Sequence, residues 1–258
     1  MAKSLIVAAV QFNSAWQDVA QNLQAACVAV SDADADLVVL PEMFATGFSM
    51  NSELIAQGMD GQIVSTMTRL SRQTNKALIF SAAIAADGKY YNRLFFITPN
   101  SGVERTYDKR HTFRMAGEHN HYASGTDRVV VEYLGVRICT LICYDVRFPV
   151  FSRSKGDYDL LIYVASWPAV RSFAWKSLLT ARAIENQTYL MGVNRVGDDP
   201  KEHYSGDTVI LDFLGATIAA ADKDVEQTVV AELSMDKLET FRSGFPAYLD
   251  ADKFEILP

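Results

Sequence analysis

The amino-acid sequence predicts an α/β fold in which two β-sheets pack face to face between outer helices, a four-layer α-β-β-α sandwich built as a single domain. Three observations lead there. The chain opens β-α-β: Ser4 to Phe12 is a β-rich apolar run, Asp18 to Asp32 carries Leu23, Ala26, Cys27 and Val30 at helical spacing, and Leu37-Val38-Val39-Leu40 is a short apolar strand stopped by Pro41. Hairpin signals then recur at Asp87-Gly88, Leu134-Gly135 and Leu214-Gly215, and many strands joined by both kinds of connection suit two packed sheets with helices outside. Finally, no linker, repeat or low-complexity tract interrupts the 258 residues, a length that α/β domains commonly fold as one unit.

Gln62 to Thr74 is the second helix, and Ala77 to Ala86 pairs with Tyr90 to Thr98 about Asp87-Gly88. Val103 to Tyr107 is a short strand that delivers Asp108-Lys109-Arg110 into a polar stretch, His111 to Arg128, with no clean period. Loops of this length in compact domains are usually functional or disordered. Val129 to Tyr133 and Val136 to Ile142 form a hairpin leading into Cys143. Up to Ile142 the residues are apolar and β-branched; after Asp145 they turn polar, and Pro149 can open a helix. Cys143 is therefore expected at a strand-to-helix turn, near the positive end of the next helix, which favours thiolate. Leu160 to Ala165 is a strand, Ser172 to Asn186 a helix and Thr188 to Asn194 a strand; Thr208 to Phe213 pairs with Ala216 to Ala220. Thr228 to Leu233 is the last strand, before a helix from Ser234 to Arg242. The core is expected within 4–235, with 236–258 as C-terminal helix and tail.

Composition excludes several roles. Hydrophobic residues make up 49% and charged residues 21%, an ordinary soluble balance that can bury a large core. With 24 Lys and Arg against 31 Asp and Glu the net charge is −7, which leaves no electrostatic footprint for nucleic acid or an anionic membrane. The expected partners are small molecules or further copies of the chain. The N-terminus enters a strand within five residues without a signal-peptide core, and no apolar run reaches the roughly 18 residues a membrane span needs. Three cysteines, Cys27, Cys139 and Cys143, give no disulfide framework and fit a reducing cytoplasm.

Three strand ends carry chemistry: Glu42 after Leu40-Pro41, Lys109 after Tyr107-Asp108, and Cys143 after Ile142. Each alone has a plain structural reading, Glu42 as a helix cap or surface acid, Lys109 as a solvated charge and Cys143 as a small buried hydrophobe. Cys139, four residues back on the same strand, keeps that structural reading. A metal hydrolase using His111, Glu118, His119 and His121 is a rival, although the stretch lacks the strand period that would place alternate histidines on one face. A non-catalytic binding protein is another.

Together the motifs Leu40-Pro41-Glu42-Met43-Phe44, Tyr107-Asp108-Lys109-Arg110-His111, Cys143-Tyr144-Asp145-Val146-Arg147-Phe148-Pro149 and Ala181-Arg182-Ala183-Ile184-Glu185-Asn186-Gln187 resemble the nitrilase, or carbon-nitrogen hydrolase, superfamily. Within it, the stretch from His111 to Tyr122 resembles YafV-type bacterial omega-amidases. The resemblance implies the four-layer sandwich, a Glu42, Lys109, Cys143 triad, a second glutamate at Glu118, and dimers that stack through the helices after Cys143 and around Arg182. It also implies hydrolysis of the terminal amide of a 2-oxo dicarboxylic acid monoamide such as 2-oxoglutaramate or 2-oxosuccinamate, without metal or organic cofactor. Another amidase or a carbamoylase of the same superfamily, acting on a small carboxylated substrate, is the alternative.

Residue chemistry gives each group a task. An ordinary thiol is mostly protonated at pH 7 and needs a base, for which Glu42 is suited if burial beside Glu118 raises its proton affinity. Lys109 and the Tyr144 backbone N–H can hold the oxyanion. Arg147, one helical turn past Cys143, can take a substrate carboxylate as a bidentate pair, or instead steady the turn as an ion pair. Trp167, after the Leu160 strand, is a pocket wall or a core residue.

Overall fold

Alternation along the first strand, β1 (Ser4–Gln11), sorts its side chains into two cores: Leu5, Val7 and Ala9 face the opposite sheet, while Ala8 and Val10 face helices. The structure is a computed structural model and describes residues 4–256. From β1 the chain continues through α1 (Val19–Asp32), β2 (Leu37–Val39), α2 (Ser52–Ile55), α3 (Gln62–Thr74), β3 (Ala77–Ala86), β4 (Lys89–Thr98) and β5 (Gly102–Asp108). The second half comprises β6 (Val130–Tyr133), β7 (Val136–Ile142), α4 (Pro149–Ser152), β8 (Leu160–Ala165), α5 (Ser172–Asn186), β9 (Tyr189–Asn194), β10 (Val196–Asp198), β11 (His203–Ser205), β12 (Val209–Leu211), β13 (Thr217–Ala220), β14 (Gln227–Ser234) and α6 (Met235–Gly244).

Two six-stranded sheets result, in the orders β14-β1-β2-β3-β4-β5 and β13-β12-β9-β8-β7-β6. Both are mixed. The centres, β1-β2-β3 and β7-β8-β9, are parallel and fed by β-α steps, and the hairpins are antiparallel. Leu37 and Val39 of β2 join the core between the sheets with Ile138, Leu141, Leu160 and Ile162, whereas Val38 packs outward with Leu23, Ala26 and Val30 of α1 and Ile63 and Met67 of α3. On the far side Trp175, Leu179 and Ala183 of α5 cover the second sheet. The expected sandwich and its element order are therefore present.

The differences lie in short elements. Four residues form α2, and β10 pairs with β11 as a separate ribbon between β9 and β12. The polar stretch after Lys109 contains two 3₁₀ turns, Arg114–Ala116 and Glu118–Asn120. After Cys143 the chain forms a 3₁₀ helix, Cys143–Arg147, and Pro149 then opens α4 as expected, although that helix is a single turn.

Candidate active site

Strand ends from both sheets converge on one buried polar cluster. β2 stops at Pro41, and the following turn places Met43 at φ +49°, with its N–H donating to Ser81 Oγ at 2.9 Å. That turn points the Glu42 carboxylate inward, where it is 1% exposed. β5 ends at Asp108, and the Lys109 N–H continues the ladder to the Asn92 carbonyl at 3.0 Å. Lys109 Nζ, equally buried, donates to Glu42 Oε1 at 2.8 Å and to Glu118 Oε2 at 2.9 Å, and lies 5.0 Å from the centre of the Phe48 ring. Asn92 Nδ2 donates to the same two carboxylates, at 2.8 and 3.2 Å. The Ser166 N–H, just past β8, donates to Glu42 Oε2 at 2.8 Å, and the Phe113 N–H donates to Glu118. Each carboxylate thus accepts at least three hydrogen bonds, which is what its complete burial requires.

Cys143 follows β7 with φ +46°, a left-handed conformation that a side-chain-bearing residue rarely adopts. Asp145 holds this turn: its carboxylate accepts from the Ile142 N–H at 2.9 Å, the Tyr107 hydroxyl at 2.7 Å and the His111 N–H at 3.1 Å. Arg182, from α5, donates Nε and Nη2 to the Val146 carbonyl. The thiol lies 3.9 Å from the Ser166 carbonyl and faces a cavity of about 500 Å³.

The charges in this cluster are set by burial and by one another. Burial disfavours the Lys109 ammonium, but Glu118 and Glu42 more than offset it and hold the lysine above its ordinary range. Glu118 is pushed up, chiefly by burial and then by Glu42, with Lys109 opposing. Burial also pushes the Cys143 thiol well above its ordinary range, the Glu42 carboxylate adding to the push and Lys109 opposing it. The expected preference for thiolate is thus reversed in the resting site. A five-residue 3₁₀ helix provides too small a dipole to offset the burial of the thiol.

The remaining expected residues take distinct positions. Tyr144 lies in the first turn of the 3₁₀ helix, where backbone N–H groups have no intrahelical acceptor, and lines the cavity. Arg147 is exposed into the cavity, with its guanidinium carbon 4.9 Å from the centre of the Trp167 ring. Among the described residues it makes no ion pair, and Asp145 and Arg182 steady the turn instead. Trp167 is both wall and core: it lines the cavity, packs 5.4 Å from the Trp175 ring centre and is 4% exposed. Cys139 is wholly buried on β7, and burial pushes its thiol up to about 12. His111 turns its Nδ1 to Asp145 at 2.8 Å and stacks on Phe148, while Glu118 turns to Lys109, and among the described residues no three His, Cys, Asp or Glu side chains are grouped to hold a metal ion.

Sequence reasoning missed Asn92, Ser166 and Asp145. A lone amide in the apolar strand Lys89–Thr98 was a usable signal for the first, because a buried polar side chain on a strand needs partners. Ser166 acts through its backbone, which leaves no mark in the residue type.

A family model for carbon-nitrogen hydrolases matches residues 6–243. Omega-amidase YafV of Escherichia coli K12 is 48% identical over 222 residues, 86% of each chain, and 2-oxoglutaramate amidase of Bacillus subtilis is 28% identical over 254 residues, 96% of this chain and 97% of its own. XC1258 from Xanthomonas campestris, a CN-hydrolase superfamily protein whose crystal structure carries an arsenic adduct in the active site, superposes with a TM-score of 0.93 at 40% identity over 98% of this chain and 99% of its own. With the expected sandwich and this cluster of strand-end residues in one chain, the protein belongs to the carbon-nitrogen hydrolase family.

Proposed function

We propose that the protein is a thiol amidase that hydrolyses the terminal amide of a 2-oxo dicarboxylic acid monoamide, such as 2-oxoglutaramate or 2-oxosuccinamate, to the 2-oxo acid and ammonia. The observation that carries this reading is the single hydrogen-bonded unit of Glu42, Lys109 and Glu118, buried together, whose Lys109 lines the cavity beside Cys143. The relatives' names supply the substrate class.

Glu42 takes the thiol proton as sulfur attacks the amide carbon, so the thiolate exists only as it reacts. This removes the need for a low resting thiol pKa. Negative charge then develops on the former carbonyl oxygen, where the Lys109 ammonium and the Tyr144 N–H stabilise it. Glu42 returns the proton to the departing nitrogen, and ammonia leaves a thioester on Cys143. Water, giving a proton to Glu42, attacks the thioester carbon; collapse expels the sulfur, which recovers its proton from Glu42. No step calls on a metal or organic cofactor. Glu118 holds Lys109 in place so that Glu42 is free to exchange protons. Arg147, with its guanidinium carbon 4.9 Å from the centre of the Trp167 ring, binds the substrate's distal carboxylate.

Copies of the chain would pair through α5, which exposes Phe173 and Ile184 beside Val170 and Leu214; light scattering at dimer mass checks this. A free reactive thiol suits the reducing cytoplasm. The activity itself is tested by an ammonia-release screen of 2-oxoglutaramate, 2-oxosuccinamate, glutamine, asparagine and simple nitriles. Faster turnover of the 2-oxo amides, unaffected by chelator and lost on thiol alkylation, supports the reading; preference for a nitrile or loss with chelator refutes it.

A further inference from the structure

One large charged side chain in the interior has no part in the chemistry above. Arg195, directly after β9, is wholly buried and makes no ion pair among the described residues. A guanidinium stays charged at any ordinary pH, and burying one without a carboxylate is costly. Its bonds go to backbone carbonyls in two segments: Nη2 donates to Ser14 and to Asp198, both at 3.1 Å, and Nε to Val196 at 3.4 Å. The guanidinium carbon lies 4.5 Å from the centre of the Tyr204 ring, a cation-π distance. Nη1 has no hydrogen-bond acceptor. It sits where a side chain at Gly47 would come within 3.4 Å of it and within 3.0 Å of the Trp16 ring, so Gly47, at φ +71°, lets the Trp16 segment close over the arginine.

What Arg195 holds is the outer side of the cavity. The β10–β11 ribbon carries Asp199, Lys201, Glu202 and Tyr204, and all four line it, as does Trp16. Other bonds tie the ribbon at its rim, where Glu202 pairs with Arg171 at 3.4 Å and His203 meets Asp224 at 3.1 Å, but those groups are partly or half exposed whereas Arg195 is buried. Val196 bonds the Phe12 carbonyl at 3.0 Å, and Gly197, at φ +88°, lies against Asn13, where a Cβ would fall 2.2 Å from the amide oxygen. Asp199 in turn accepts from the Tyr204 hydroxyl at 2.6 Å. The residue before Arg195 does the corresponding work for the inner wall: Asn194 accepts from the Trp167 N–H at 2.7 Å and donates to the Trp167 carbonyl at 3.0 Å. Two consecutive residues at one strand end thus brace two walls of the same cavity.

We infer that Arg195 is a positioning residue that sets the outer wall through the β10–β11 ribbon, and so governs capture of the substrate rather than the bond-breaking steps. The inference rests on the reading of this cavity as the substrate site. Arg195 reaches neither Cys143 nor Lys109 by any hydrogen bond, and its loss leaves the cluster of Glu42, Lys109 and Glu118 with all its partners. The ribbon instead loses a fork of donors that no other side chain replaces.

The test combines kinetics with amide hydrogen exchange on the full-length protein. In Arg195→Met, KM for 2-oxoglutaramate should rise about tenfold or more while kcat stays within about threefold, the size of effect expected when charge-assisted hydrogen bonds that hold a binding wall are lost. Arg195→Lys keeps the charge but not the planar fork and should fall between. Exchange should quicken at 196–205 and stay unchanged at 143–147 and 160–167. Tyr204→Phe removes only the bond to Asp199 and should shift KM in the same direction by about threefold, which keeps the test in hand if the arginine variants fold poorly. A wild-type KM in Arg195→Met, a kcat loss that matches or exceeds the KM change, or faster exchange spread across both sheets would overturn the inference. If the wild-type protein turns over none of the amides, the proposed function fails, and the exchange pattern still decides whether Arg195 holds the wall.

Discussion

The floor of the cavity and its outer wall are built by opposite means. At the floor, Lys109 and Cys143 come directly after β5 and β7, and Glu42 follows β2 by three residues, all three strands being locked into six-stranded sheets. All three residues are buried, Lys109 is bonded to Glu42, and the Cys143 thiol lies against the Ser166 carbonyl. At the wall, the lining residues come from a three-residue strand pair and from 3₁₀ turns, and several are open to solvent, Met115 at 77% exposed. A rigid sheet edge keeps reacting atoms in register, whereas short loops can change their residues without disturbing it. The floor should therefore decide whether reaction occurs, and the wall which substrate is held.

The largest effects should come from breaking the floor. Cys143→Ala should abolish amide hydrolysis, and Cys139→Ala, four residues back on β7, should retain most of it with a stability loss of about 1 kcal/mol. Comparable activity in the two variants would remove Cys143 from the role of nucleophile. Glu42→Gln and Lys109→Met should lower kcat by about 100-fold or more with little change in KM, as expected for groups that act on transition states. Lys109→Met also leaves two buried carboxylates facing one another, so its thermal stability should drop by about 3–5 kcal/mol. A change confined to KM in either variant would move that residue to substrate binding.

Glu118 separates support from chemistry within the floor. It bonds Lys109 through both oxygens and receives the Phe113 N–H, so it joins Lys109 to the loop that lines the cavity. Glu118→Gln keeps the shape but weakens the hold on the ammonium. Formation or breakdown of the acyl-enzyme should slow by about 10- to 100-fold, while iodoacetamide still alkylates Cys143. Stopped-assay mass spectrometry of the thioester reads this directly, and an unchanged kcat/KM would reduce Glu118 to packing.

The same contrast explains what was legible in the sequence. Leu37 to Leu40 before Pro41, and Arg137 to Ile142 before Cys143, announce strand ends because burial on both faces demands unbroken apolar runs. The residue just past each end is then placed by the strand itself. Glu118 has no such signal; its position follows from the resemblance, since a carboxylate in a polar loop reads as solvated until Lys109 is known to lie beside it. The β10–β11 ribbon was illegible for a different reason: Val196-Gly197-Asp198-Asp199-Pro200 shows no alternation, and the buried Arg195 beside it bonds the carbonyl of the distant Ser14 as well as those of Val196 and Asp198. The direction of the Cys143 pKa was misread because the neighbouring helix was counted and the depth of burial could not be.

Breaking the wall should give smaller effects, and in KM. Arg147→Gln removes the guanidinium from Trp167 and should raise KM for 2-oxoglutaramate by about tenfold while sparing a simple uncharged amide. An equal loss for charged and uncharged amides would show that Arg147 supports the turn after Cys143 and does not bind a carboxylate.

The smallest effect should distinguish wall from floor by pH. His203 of β11 is pulled above its ordinary range, first by its hydrogen bond to Asp198 at 2.7 Å and next by that to Asp224 at 3.1 Å, where Lys223 also lies 3.8 Å from the carboxylate. These bonds tie the ribbon to the loop before β14. A histidine whose folded-state pKa is raised contributes stability that is fully present below its unfolded value, near 6.5, and is lost as pH rises through the folded-state value. The thiol of Cys143 is also raised, but its ordinary value lies near 8.5, so its contribution persists through neutral pH and fades only in alkali. The Tm difference between wild type and His203→Gln should therefore be largest at about pH 5.5 and shrink as pH rises above about 6.5, while Cys143→Ala should show no such change between about pH 5.5 and about pH 8. Because His203 is half exposed, solvent screens the pair and the shift should be about 1 °C or 2 °C. A difference that holds constant or widens toward pH 8 would mean that the ribbon does not depend on the charged imidazole.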